Sequence, residues 1–204
     1  MEDSHLHGLH TQGLSACSSL RLLQLSQSVI FDQNHDLQLL TNLSIMPLGR
    51  PLSSQLHTLH LLTDNDQTES LAVNWIHELS SLKDIAIKCN YCNLDLMVCL
   101  TNLTNLTKLI VQGDLFTCIS LDIEWHHLQA LQFLSIEGFT VVCGQRLVSL
   151  LQLERLTHVC FDGITPKDSR CSAFLAALVY NLATLRPQTK LRLNEVAALD
   201  YPGL

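Results

Sequence analysis

The sequence predicts an α/β fold in which one short strand per repeat alternates with a helical or turn-rich crossover, the strands stacking side by side as a parallel sheet. Three observations carry that prediction. Pairs of apolar residues two apart recur along the chain: Leu23/Leu25, Leu59/Leu61, Ile85/Ile87, Leu109/Val111, Leu134/Ile136, Val159/Phe161 and Leu191/Leu193. From residue 59 the first members stand at 85, 109, 134, 159 and 191, steps of 26, 24, 25, 25 and 32 residues. Leu20, Leu56, Leu82, Leu106, Leu131 and Leu156 stand three before the first six pairs, and Leu79, Leu103, Leu128, Leu153 and Leu185 three earlier again. Apolar spacing of two is what a strand with one buried face shows. Parallel neighbours need a crossover of about a dozen residues or more, which a unit of this length supplies.

In chain order, the first strand falls at Leu23 and Leu25, with Cys17 in the leucine column; Ser53 takes that place in the second unit. Between them, Leu37, Leu40, Leu43 and Ile45 repeat the spacing. Pro47, Gly49 and Pro51 interrupt the approach to Leu59, so residues 37–52 stay open between a compressed repeat and an irregular loop. Residues 67–82 read as a helix: Leu71, Trp75, Leu79 and Leu82 form one stripe, and Asp66 with Glu69 makes a cap. Residues 94–103 and 146–153 each have room for about two or three turns. Residues 169–185 form a long helix with the stripe Phe174, Leu175, Leu178, Leu182 and Leu185. Asp168 or Ser169 caps it, and Arg186-Pro187 ends it. Gln188 breaks the leucine column before the last strand pair.

Residues 82–90, Leu-Lys-Asp-Ile-Ala-Ile-Lys-Cys-Asn, fill every position of L-x-x-L-x-L-x-x-N; the units at 56–64 and 106–114 do so with Asp at the end. In this the chain resembles the leucine-rich repeat family. The resemblance covers residues 14–194, about seven units, and implies a solenoid curved as a horseshoe arc. Its parallel sheet would line the concave face and its helices the convex face. The long helices at 67–82 and 169–185 look most like the intracellular, ribonuclease-inhibitor-like branch. The L-x-G-x-I-P signature of the plant receptor branch is not found. Phe139, Ile164 and Val196 stand where the family carries Asn, which predicts looser turns in the C-terminal half. Residues 1–13 are expected to be a flexible tail and 195–204 a short tail or incomplete cap. The open C-terminal end suggests a fragment, or self-association through that end.

Composition agrees with stacked thin layers. Of 204 residues, 44 are Leu, while aromatics make up 5%; that Leu share is roughly twice the usual one. Net charge is −7 and only 12 residues are Lys or Arg, spread along the chain. A phosphate-neutralising surface needs a cationic patch, so nucleic acid and anionic membrane are not expected partners. The start Met1-Glu2-Asp3-Ser4-His5 lacks a secretion signal, and no run approaches the length of a membrane span. The expectation is a soluble, cytoplasmic protein with reduced cysteines. Similar arrays in algae and related organisms accompany the cytoskeleton and cilia.

Other constellations have plainer readings. Cys89 and Cys92 have metal-ligand spacing, but zinc sites of this kind need a second pair, so no metal is expected. His5, His7 and His10 lie in the tail. His126 and His127 follow Trp125 on a presumed helix; only one of the two can face inward, and neither stands beside a carboxylate arranged for general-base work. Sequons at Asn42, Asn102 and Asn105 match what a polar-filled leucine repeat produces. No nucleophile elbow, phosphate loop or metalloprotease motif is present, so neither an enzyme nor a cofactor is expected.

Residues flanking each buried pair point away from the core: Thr58, His60 and Leu62; Asp84, Ala86 and Lys88; Lys108, Ile110 and Gln112. The later strands add Phe133, Ser135 and Glu137; His158, Cys160 and Asp162; Lys190, Arg192 and Asn194. The resemblance implies a non-catalytic scaffold that binds another protein across this concave face. The candidate contact residues are His60, Asp84, Lys88, Lys108, Ile110, Gln112, Phe133, Ser135, Glu137, His158, Cys160 and Asp162. The alternatives are the substrate-recognition arm of a ubiquitin ligase, whose F-box does not precede residue 14 here and would have to be missing, and an extracellular receptor fragment.

Overall fold

The computed structural model describes residues 22–25, 57–63, 76, 79–89, 94–113 and 117–196. Residues 1–13, 37–52, most of the expected 67–82 helix, Cys92 and 197–204 lie outside the described residues. The fold is α/β. Strands β1 (Leu22–Leu25), β2 (Thr58–Thr63), β3 (Asp84–Cys89), β4 (Lys108–Gln112), β6 (Phe133–Glu137), β8 (His158–Asp162) and β10 (Lys190–Asn194) form one parallel sheet in that order. The register aligns the apolar pairs rung by rung. Leu59, Ile85, Leu109, Leu134, Val159 and Leu191 are successive partners, two residues before Leu61, Ile87, Val111, Ile136, Phe161 and Leu193. From Ile85 to Phe161 every member of both columns is at most 1% exposed.

The leucines before each strand have their own task. Leu82, Leu106, Leu131 and Leu156 donate backbone N–H to the carbonyls of Leu79, Leu103, Leu128 and Leu153, at 2.9 to 3.0 Å. These i to i+3 turns swing the chain onto the sheet while both leucines go into the core, and all eight are buried. The next residue links the rungs. The carbonyls of His57, Lys83, Thr107 and Gln132 each accept two N–H groups from the following unit, those of Lys83 and Asp84, Thr107 and Lys108, Gln132 and Phe133, and Thr157 and His158.

The crossovers depart from expectation. Helix α1 (Leu94–Thr101) occupies its expected segment, with Leu96, Met97 and Leu100 buried. The segment expected as helical at 146–153 is instead a 3-10 helix, Gln145–Gln152, and a single 3-10 turn spans Trp125–His127. A 3-10 helix rises about 2.0 Å per residue against about 1.5 Å for an α-helix, so a short crossover reaches further with it. A second parallel sheet, not anticipated, joins β5 (Cys118–Ser120), β7 (Thr140–Val142) and β9 (Thr165–Pro166), so helices alone do not back the main sheet. Ile119 and Val141 are partners in it and fully buried.

The turns between the two sheets are not loose, contrary to the reading from Phe139 and Ile164. Both side chains are fully buried. Gly113, Gly138 and Gly163 donate backbone N–H to Glu137, Asp162 and Asn194 of the next rung, extending the ladder past each strand. Gly138 and Gly163 hold φ of 74° and 59°, the left-handed region that glycine enters without steric cost. At Gly113 the reason is space: a β-carbon there would overlap the Phe139 ring. The aromatic ring occupies the position where the 82–90 motif carries Asn, and the glycine one rung earlier makes room.

Helix α2 (Ser169–Leu185) has its expected limits, and of the two expected caps the structure uses Asp168, whose Oδ1 accepts from Cys171 N at 2.8 Å. The longer last crossover shifts the leucine column: Leu185 is 68% exposed, not buried like Leu153. Arg186 compensates. Its guanidinium donates to the carbonyls of Leu151 and Glu154 at 3.1 and 2.8 Å, and Thr189 Oγ1 donates to that of Leu156 at 2.9 Å. The turn therefore closes without a leucine at 188.

Two outcomes are expected. Gly113→Ala drives a methyl into the Phe139 ring and should cost about 1–3 kcal/mol, read as a lower denaturant midpoint at unchanged m-value. The hydrogen bond from Cys171 N holds the Asp168 carboxyl below its ordinary value near 3.8. Its contribution is complete above that value and is lost as pH falls through the lower folded-state value. In acid titrations of thermal stability, Asp168→Asn should lose less than the parent over that interval.

Candidate functional site

Alternation along a strand sends one set of side chains into the core and the other outward. All twelve candidate residues lie in the outward set, on one face of the large sheet. Cross-strand register sorts them into three columns. The first runs Thr58, Asp84, Lys108, Phe133, His158, Lys190; the second His60, Ala86, Ile110, Ser135, Cys160, Arg192. The third runs Leu62, Lys88, Gln112, Glu137, Asp162, Asn194.

Within the first column, Lys108 Nζ lies 5.4 Å from the Phe133 ring centroid, and that ring stacks on His158 at 5.8 Å. His158 Nδ1 is 2.9 Å from Thr157 Oγ1, and Thr107 Oγ1 donates to Asp84 Oδ1 at 3.0 Å. In the third column, Gln112 Nε2 donates to Glu137 Oε2 at 2.7 Å, and Asn194 Nδ2 to Asp162 Oδ2 at 3.0 Å. Arg192 approaches Asp162 to 3.9 Å. Threonines 107 and 157 were missed as participants; their signal is a hydroxyl residue immediately before the first outward residue of a strand.

Burial varies along each column. His60, Lys88, Lys108 and Gln112 are exposed, while Asp84, Ile110, Phe133, Glu137, His158, Cys160 and Asp162 are half-buried. Ser135 departs from expectation: it is 2% exposed, and its Oγ donates to Glu137 Oε1 at 2.6 Å. It orders a carboxylate and has almost no surface left for a partner.

On a crossover, His126 lies beside a carboxylate, contrary to the sequence expectation: that of Glu124, two residues before it. Glu124 bridges His126 Nδ1 at 3.2 Å and Arg146 Nε at 3.1 Å, and Asp122 Oδ1 accepts from Arg146 N at 2.9 Å. Neither histidine is buried: His126 is half-buried and His127 exposed, while Trp125 takes the core position and donates Nε1–H to the Leu121 carbonyl at 3.0 Å. This surface cluster ties two crossovers together. Burial, with Cys171 beside it, pushes the Cys143 thiol up to about 12; Cys143 N donates to Cys171 Sγ at 3.2 Å. A thiol held protonated in this way is a poor nucleophile and metal ligand.

Cys89 is fully buried at the end of β3, and Cys92 is outside the described residues. Among the described residues, no group of three or more His, Cys, Asp or Glu is arranged to hold a metal ion, and no helix is long and apolar enough to cross a membrane. In comparisons with known proteins, no family model and no curated protein matches this chain.

Proposed function

We propose that the chain is a leucine-rich repeat solenoid of the intracellular type, and that the outward face of its large sheet is concave and binds another protein without catalysing a reaction. The observation that supports this reading is the division of labour along each strand. The core takes the paired aliphatics and the turn takes the preceding leucines. Three columns of outward side chains then remain in register outside the core. In their middle, Ile110, Phe133 and Cys160 keep partial exposure among charged neighbours. An apolar centre with a polar rim is how protein-binding patches are commonly built. A rigid parallel sheet also presents such a patch with little conformational entropy left to lose on binding. The cytoplasm is the setting we assign to this activity.

The test is the double substitution Ile110→Asp with Phe133→Asp. Partner capture from native extract, identified by mass spectrometry, should fall to background while the circular dichroism spectrum is unchanged. Capture that survives the double substitution would put the binding surface on the crossovers instead.

A further inference from the structure

The same face has a shape and a charge division that together specify what kind of segment it takes. From β4 to β8 its middle column is low. Ser135 is 2% exposed beneath its neighbours, with half-buried Ile110 and Cys160 on either side of it. On β4, β6 and β8 the flanking columns carry longer side chains, Lys108, Phe133 and His158 on one side and Gln112, Glu137 and Asp162 on the other, and these form two rims. Rim residues on one strand are four positions apart, about 13 Å at about 3.3 Å per residue. An α-helix with its side chains is about 10–12 Å across, so the trough between the rims matches a helix lying across the rungs.

The rims carry opposite charge. On the first, Lys108 and Lys190 are exposed at the two ends of the stacked Phe133–His158 pair. On the second, Glu137 and Asp162 are adjacent partners. Glu137 is held by the neutral donors Gln112 and Ser135, and Asp162 by neutral Asn194, with Arg192 no nearer than 3.9 Å. The pattern has a limit. At β3 the signs invert, with Asp84 on the first rim and Lys88 on the second. The floor thus runs from β4 to β8 and ends at exposed Arg192 on β10, while the rim charges reach Lys190; the whole covers three strand spacings or about 14 Å, which about ten helical residues span.

Resting on the protein-binding reading above, we propose that this trough accepts a short amphipathic helix from the partner. Small apolar side chains of that helix lie on Ile110 and Cys160. Carboxylates along one flank face Lys108 and Lys190, and ammonium or guanidinium groups along the other face Glu137 and Asp162. Complementary rims of this kind set orientation and reject segments of uniform charge.

The experiment uses three stapled peptides of about 14 residues, stapled because isolated helices of that length are marginal in water. All share one Ala/Leu stripe. One carries Glu on one flank and Lys on the other; the second carries Glu on both; the third carries Lys on both. Titrated into the full chain at low salt, the divided peptide should bind at least about tenfold more tightly than either uniform peptide. In the variant Lys108→Glu with Lys190→Glu both rims are acidic, and preference should pass to the all-Lys peptide, with the circular dichroism spectrum unchanged. A uniform peptide that equals the divided one on the parent protein, a variant that keeps the parent's preference, or no binding by any peptide would overturn the inference. If it is overturned while the Ile110/Phe133 double substitution still abolishes partner capture, the protein-binding reading stands alone. If capture also survives that substitution, both fall.

Discussion

Register between rungs is the constraint on which the rest of this structure depends. A single unit has one short strand and cannot bury its apolar pair alone. Burial is complete only when the pair of the next unit lies directly against it, which happens only if the strands align residue for residue. The backbone enforces that alignment at both strand ends. Before each strand one carbonyl receives two N–H groups from the following unit, and after β4, β6 and β8 a glycine N–H continues the ladder. A one-residue slip would expose Leu109 and Val111 and bury Lys108, Ile110 and Gln112. Burying an unpaired lysine is far more costly than any local gain, so the leucine columns and the outward charges enforce the same register.

With register held, the chain is free to vary how it turns. The units ending in Phe139 and Ile164 fill with hydrocarbon the place where the motif at 82–90 has Asn90, and the turn is secured through glycines instead. Phe139 depends on Gly113, a residue from the preceding unit. The last unit loses its leucine at 188 and recruits Arg186, whose guanidinium reaches the carbonyls of the previous crossover. In both cases a local departure from the repeat is compensated by an atom about one rung away.

This arrangement also explains why one surface can be specialised. Outward residues on the strands contribute little to rung-to-rung burial, so, provided enough of them stay polar to hold the register, their identity can vary. Stacking then places side chains about 25 residues apart in sequence within van der Waals reach. Lys108, Phe133 and His158 form a continuous row in this way, and Glu137 and Asp162 another. Ser135 lies at the bottom between them, turned toward Glu137.

The strand columns, the turn leucines, the limits of α2 and the outward set of candidate residues could all be read from the sequence, because each rests on spacing within one unit. Period two marks a half-buried strand, and Arg186-Pro187 ends a helix through its own sterics. The second sheet could not be read. Its strands are two or three residues long, too short to display a period, and they exist only because neighbouring units hydrogen-bond across them. The choice of 3-10 over α winding at Gln145–Gln152 was likewise decided by the span to be crossed, and the cap by which of Asp168 and Ser169 reached Cys171 N. For the candidate face, the sequence determined which residues point outward. Only the tertiary structure decided which of them stand side by side and that Ser135 is covered. Those facts depend on distances between units, and no single unit contains them.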